Sequence, residues 1–184
     1  IVATSYVDNI IGTASNEYIM GGNGGDTISG GDGDDRVYGE GGDDTLSGGA
    51  GFDILYGGAG SDDYAFDRGY ETDRIMNNDV DSATDSVTFA SGIDRDQLWF
   101  SRVGNDLNVS VIGTTDEVVV AGWYNGSSFY VDTFNSGDGY TLSSGDVQSL
   151  VDAMSSFSPP ELGRFELNGS EHAALDDDIA AVWV

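Results

Sequence analysis

From Ile19 onward a large apolar residue recurs at every ninth position: Ile19, Ile28, Val37, Leu46, Leu55 and Tyr64. Two residues before each stands an acid, Glu17 and then Asp26, Asp35, Asp44, Asp53 and Asp62. The frame opens at Gly12 and divides the chain into GTASNEYIM, GGNGGDTIS, GGDGDDRVY, GEGGDDTLS, GGAGFDILY and GGAGSDDYA, ending at Ala65. A fixed period of this kind is read before any local propensity. The first six residues of a unit are glycine, aspartate and small polar types. They form neither helix nor strand, but they suit a tight turn, because glycine accepts positive φ. The last three place one large apolar side chain between two outward ones, which predicts a very short strand. Turn and strand in alternation make two nonapeptides one coil of a solenoid. Ile28, Leu46 and Tyr64 would then line one parallel sheet, and Ile19, Val37 and Leu55 the sheet facing it.

The pattern loosens after the repeats. Within residues 64–89, Asp73 precedes Ile75 by two and Asp85 precedes Val87 by two, so the Asp-x-apolar spacing continues into irregular last rungs. Residues 94–142 read as antiparallel, β-rich structure. A short helical piece and a strand in SGIDRDQLWFSR are followed by strands at Leu107–Val111, Glu117–Val120 with Trp123-Tyr124 beyond it, and Tyr130–Phe134. Turn signals at GND, GTTD and DG separate them. From Ser143 the pattern turns helical. Ser143 or Ser144 would cap a helix carrying Asp146, Val147, Leu150, Val151 and Met154, and Pro159-Pro160 would stop it. A second helix is expected over 171–183, with Leu175, Ile179, Val182 and Trp183 on its apolar side. The expected organisation is therefore a mainly β chain: the solenoid at 12–89, a β-rich cap over its exposed sheet edge at 90–142, and a helical segment at 143–184.

Charge changes this picture. The 184 residues hold 33 acids and only six basic residues, all arginine, for a formal net charge of −27. Nucleic acid is excluded as a natural partner, and so is simple electrostatic attraction to an anionic membrane. Without cations, repulsion among the acids opposes compaction. Apolar residues make up 39%, enough for a packed core. There is no cysteine, so disulfides and cysteine-based metal sites are impossible. No stretch is apolar and long enough to insert across a membrane. The chain opens Ile1-Val2-Ala3-Thr4 without a methionine, which points to a piece of something longer.

Stacking the turns brings the aspartates into a row. Such a row is repulsive unless a hard cation lies among the carboxylates, and calcium fits because it accepts six or more oxygens from carboxylates and carbonyls. A flexible acidic linker, the ordinary reading of glycine- and aspartate-rich sequence, would not need an apolar residue in register with an acid. The motif also carries a resemblance. GGNGGDTIS, GGDGDDRVY, GGAGFDILY and GGAGSDDYA match in full the G-G-x-G-x-D-x-(large apolar)-x unit of the RTX (repeats-in-toxin) family. GEGGDDTLS departs from it at Glu40, and GTASNEYIM is degenerate, with Glu17 in the aspartate position. The resemblance implies a parallel β-roll with several calcium ions in its turns, each between turns two repeats apart. Asp26 would pair with Asp44, Asp35 with Asp53, and Asp44 with Asp62. Carbonyls of Gly22, Gly24, Gly31, Gly33, Glu40, Gly42, Gly49, Gly51, Gly58 and Gly60 would complete the shells. Asp32 and Asp34 are candidate extra ligands, and Glu17 and Asp73 candidate ends of the array. Roughly four to six ions follow from the number of stacked turns and the oxygens each needs.

Catalytic chemistry is sparse. A single histidine, His172, rules out a two-histidine zinc site, and no G-x-S-x-G is present. His172 reads as a helix-surface residue. Trp99, Trp123, Tyr124, Phe129 and Tyr130 could line a glycan-binding surface, but aromatics in alternating strands are more often core. The expectation is a non-enzymatic calcium module of a larger bacterial protein. It would be exported by type I secretion machinery to the cell surface or beyond, and would fold when it meets calcium. The acidic-then-apolar end, DDDIAAVWV, is compatible with a C-terminal export signal. Alternatives are the ligand-binding module of an adhesin, taking a glycan or a surface ligand, or an accessory module of a secreted lipase, protease or alginate epimerase.

Overall fold

A computed structural model describes residues 1–78 and 83–184; positions 79–82 of the expected last rungs lie outside the described residues. Short strands alternate between two facing sheets. On one side lie β1 (Asn9–Ile11), β3 (Thr27–Asp32), the first part of β5 (Thr45–Ala59), β6 (Asp63–Phe66) and β8 (Ser86–Phe89). On the other lie β2 (Tyr18–Asn23), β4 (Arg36–Gly41), the rest of β5, and β7 (Glu71–Ile75). β5 runs through the corner and belongs to both sheets, pairing Thr45 to Ala50 with β3 and Ile54 to Ala59 with β4.

Every pairing in this part is parallel, and the register follows the repeat. Ile10 pairs with Ile28, Ile28 with Leu46, Leu46 with Tyr64, and Tyr64 with Val87. Across the core, Ile19 pairs with Val37, Val37 with Leu55, and Leu55 with Ile75. The six apolar residues of the period are all buried, as the pattern predicts. Because side chains alternate along a strand, the neighbours of each point outward. Tyr38 stacks there on Tyr56, with centroids 4.4 Å apart.

The chain also opens one unit earlier than the pattern predicts. Asp8-x-Ile10 repeats the acid-x-apolar spacing, and β1 adds a rung before the first recognised repeat.

The region after the repeats continues both sheets. The expectation there is antiparallel, and it holds only in part. β11 (Glu117–Val120) joins β7 in parallel, and β12 (Thr133–Asn135) joins β8 in parallel. Antiparallel pairing begins outside them, where β9 (Leu98–Val103), β10 (Asp106–Val111) and β11 form a meander and β12 pairs with β13 (Thr141–Ser143). Each sheet thus ends on antiparallel strands. The strand expected over Tyr130–Phe134 begins only at Thr133. Trp123 and Tyr124 lie in a 3₁₀ turn (Trp123–Asn125) rather than a strand, after Gly122 at φ 70°.

Two helices close the chain. α1 (Val147–Met154) starts from Asp146, not from Ser143 or Ser144; the Ser143 hydroxyl donates to the Asp146 carboxylate instead. α2 (Gly169–Val182) begins two residues before the expected start. Asn168 caps it, accepting from the N–H groups of Ser170 and Glu171, and Glu171 reaches back to the Asn168 N–H. Asn168-x-x-Glu171 has the acceptor-and-Glu spacing of a capping box, a signal the helix pattern alone did not use. Leu150, Val151, Met154, Leu175, Ile179 and Trp183 pack into one core with Phe100 and Phe134 of the sheets. Val184 pairs with Thr141 through two backbone hydrogen bonds.

Candidate metal sites

The short turns between the repeat strands stack along two edges, and each edge carries a row of acids. The first row runs Asp8, Asp26, Asp44, Asp62, Asp85 and Asp132. The N–H of Asp8 donates to Asp26 Oδ1 (2.8 Å), that of Asp26 to Asp44 Oδ1 (2.7 Å), and that of Asp44 to Asp62 Oδ1 (3.0 Å). The N–H of Asp62 donates to Asp85 Oδ1 (3.0 Å), and that of Asp85 to Asp132 Oδ2 (3.0 Å). The second row runs Glu17, Asp35, Asp53 and Asp73. The N–H of Glu17 donates to Asp35 Oδ1 and that of Asp35 to Asp53 Oδ1, both at 2.7 Å. Asp73 stands opposite Asp53 in the register. The expected pairs, Asp26 with Asp44, Asp35 with Asp53 and Asp44 with Asp62, are therefore side by side.

One oxygen of Asp26, Asp35, Asp44, Asp53, Asp62, Asp85 and Asp132 is thus engaged within the rows; the other separates the interior of a row from its ends. Among the described residues, Oδ2 of Asp26, Asp35, Asp44, Asp53 and Asp62 is buried with no hydrogen-bond partner, and so are both carboxylate oxygens of Asp73. A buried, unpartnered carboxylate is costly. The ends are satisfied by the chain itself. Asp8 Oδ2 accepts from the N–H and hydroxyl of Thr4, and the Glu17 carboxylate accepts from the N–H and hydroxyl of Thr13. Those bonds hold the Asp8 and Glu17 carboxyls below their usual range. In the interior the direction reverses. Burial, reinforced by neighbouring carboxylates, raises Asp35 and Asp53, pushes Asp44 up to about 6 and Asp62 to about 7, and Asp73 to about 9 with the Asp53 charge beside it.

The first glycine of each repeat faces the unpartnered oxygen. A Cβ on Gly21 would lie 2.5 Å from Asp26 Oδ2 and 2.9 Å from the Gly39 carbonyl. On Gly39 it would lie 2.2 Å from Asp44 Oδ2 and 2.6 Å from the Gly57 carbonyl. Carboxylate and carbonyl oxygens thus converge on a space that only hydrogen at Cα leaves open. Among the described residues no three acid, histidine or cysteine side chains gather to hold a metal. A cation here would draw most of its shell from carbonyls, which suits calcium and not zinc.

Gly22, Gly31, Gly49, Gly51 and Gly58 take positive φ inside strands, Gly24, Gly33, Gly42 and Gly60 do so just after strand ends, and Glu40 in β4 takes φ 76° in their company. Asp32 is exposed. Asp34 turns to the protein, its Oδ1 accepting from the Phe52 N–H at 3.2 Å. Asp8, Asp132 and Asn77 join the rows unannounced. Asp8-x-Ile10 and Asp132-x-Phe134 carry the acid-x-apolar spacing, whereas nothing in the sequence around Asn77 marks it. Of the aromatics considered for a glycan surface, Trp99 and Trp123 are core, and Tyr130 stacks on Trp123 at 4.2 Å. His172 lies on α2 beside Asp176.

A stack of parallel repeat strands whose turns present buried, unmatched carboxylates to carbonyl-lined gaps belongs to the class of cation-binding repeat arrays. Residues 11–46 and 38–70 match the RTX calcium-binding nonapeptide repeat, in four copies. This segment is an RTX repeat array, and RTX nonapeptide repeats bind calcium ions.

Proposed function

We propose that this chain is a calcium-dependent folding module of a larger exported bacterial protein, and that its solenoid is a parallel β-roll assembled around calcium. The observation that carries the reading is the set of unmatched, buried carboxylate oxygens on Asp26, Asp35, Asp44, Asp53, Asp62 and Asp73. Calcium among them removes the burial penalty and the mutual repulsion together. In a cytoplasm poor in free calcium the acidic repeats repel one another and remain unfolded, a state fit to thread a type I secretion channel. Outside the cell, calcium binding and folding become one step. The net charge of −27 and the lack of cysteine support the same division: metal in place of disulfides stabilises the loops. The C-terminal sheets and helices, whose apolar residues share one core with those of the repeats, provide a surface on which the repeats can order. No helix among the described residues is long and apolar enough to cross a membrane.

The test is far-UV circular dichroism with thermal melts, in chelator and in millimolar calcium. The expected outcome is a gain of β signal and a large rise in Tm with calcium. Identical spectra and melts in the two conditions would refute the reading.

A further inference from the structure

The first aspartate row does not stop at a metal. We propose that the side-chain amide of Asn77 takes, at Asp85, the place that a cation takes at the repeat aspartates, so that the calcium array of that row ends at Asp62 and is joined there to the C-terminal β region. The inference rests on the calcium reading above.

At Asp26, Asp44 and Asp62, Oδ1 accepts from the preceding N–H of the row and Oδ2 is buried without a partner. Asp85 has the same register and the same Oδ1 bond, from the Asp62 N–H. Its Oδ2, however, accepts from Asn77 Nδ2 at 2.8 Å. Asn77 comes from the opposite sheet. It continues the inward face of β7 after Asp73 and Ile75, and it is 3% exposed. Its orientation is fixed by its other partners. Nδ2 also donates to the Tyr130 carbonyl at 2.6 Å, which can only accept. Oδ1 accepts from the Tyr64 hydroxyl at 3.3 Å, and that hydroxyl accepts from the Gly57 N–H at 3.0 Å. Both amide protons are therefore spent on acceptors, one of them the carboxylate that would otherwise want an ion. The same amide ties that carboxylate to the backbone just before β12, and the Asp85 N–H reaches Asp132 there. The gap at Gly57 completes the link: a Cβ there would lie 2.1 Å from Asp62 Oδ2 and 2.7 Å from the Tyr64 hydroxyl. The last cation gap of the row thus borders the network that closes it.

The experiment counts calcium. Wild type and the Asn77→Asp, Asp85→Asn and Asp62→Asn chains are saturated with calcium and desalted. Bound metal is measured by atomic emission, with near-UV circular dichroism reporting the fold. Asn77→Asp replaces the amide protons by a second carboxylate facing Asp85, and one more ion per chain than wild type is expected. Asp85→Asn keeps an oxygen for the Asp62 N–H, and an unchanged count is expected. Asp62→Asn is expected to bind fewer ions. A folded Asn77→Asp chain with the wild-type count would overturn the proposal, as would a lost ion in Asp85→Asn. Were Asn77→Asp not to fold, the Asp85→Asn count alone decides in the same way. An unchanged count in Asp62→Asn, or no calcium on wild type, overturns the calcium reading itself, and this proposal falls with it.

Discussion

Glu40 occupies a backbone position that the four full repeats give to glycine, at φ 76° where Gly22, Gly31, Gly49 and Gly58 lie between 104° and 117°. A side chain in the left-handed region costs about 1–2 kcal/mol, partly offset because glycine loses more entropy on folding. Glu40→Gly should therefore stabilise the calcium-loaded protein by about 0.5–1 kcal/mol, a rise in Tm of about 1–4 °C in a thermal melt. Asp44 is expected to behave in the opposite sense. It lies between Asp26 and Asp62 in its row, so Asp44→Asn should weaken two gaps at once. The midpoint of calcium-induced folding, followed by circular dichroism, should move up by about tenfold or more, equal to about 1.4 kcal/mol. The carboxyls also fix the pH response of the calcium-free fold. Asp44, Asp62 and Asp73 stand at about 6, 7 and 9 against 3.8 for an ordinary aspartate. A carboxyl raised in the fold holds its proton more tightly there than in the unfolded chain. Its contribution is full below about 3.8 and is lost as pH rises through about 6 to 9. Calcium-stripped protein should thus gain β signal on going from pH 7.5 to pH 4; a loss over that range would contradict the assignment.

At the level of elements, the short strands need the glycines that precede them for space as much as for conformation. Gly48 does not have positive φ, yet a Cβ there would lie 2.2 Å from Asp53 Oδ2 inside the turn that β5 carries through the corner. Gly145 also has ordinary φ, and its nearest contact is at 3.6 Å. Gly48→Ala should destabilise the loaded protein by more than about 2 kcal/mol, while Gly145→Ala should stay within about 0.5 kcal/mol, both read from denaturant melts. The period made the repeat strands and their register legible, because one apolar residue per nonapeptide leaves one way to face the core. It did not reveal that β11 and β12 extend the sheets in parallel. Val118, Val120 and Phe134 carry the same local alternation in either direction, and their partners Asp73, Ile75 and Val87 lie about 45 residues away in sequence. Asp8 was legible in principle through Asp8-x-Ile10, but the flanking Ala3-Thr4-Ser5 has no glycine to mark the turn.

For the whole molecule, the proposed function couples charge and shape through the metal. Folded, a chain of this length has a radius of gyration near 16 Å, and fully unfolded it approaches about 46 Å. A net charge of −27 favours expansion once the ions leave. Small-angle scattering in chelator at neutral pH should move well toward the larger value, and calcium should restore the smaller one. An unchanged radius would mean that the apolar core suffices without metal.

By itself the sequence determined the repeat strands, their period, their inward residues and the acids that line the turns, because those depend on spacing along one strand and one turn. It also determined the metal class, since short carboxylates beside glycine carbonyls offer only oxygen. The tertiary structure alone decided which acids are left unmatched. Thr4 satisfies Asp8 and Thr13 satisfies Glu17 within their own turns, and Asp85 is satisfied by Asn77 from the opposite sheet, whereas neither carboxylate oxygen of Asp73 has a hydrogen-bond partner of good geometry among the described residues. Whether a carboxylate needs an ion depends on the donors that surround it in space, and the repeat does not encode those.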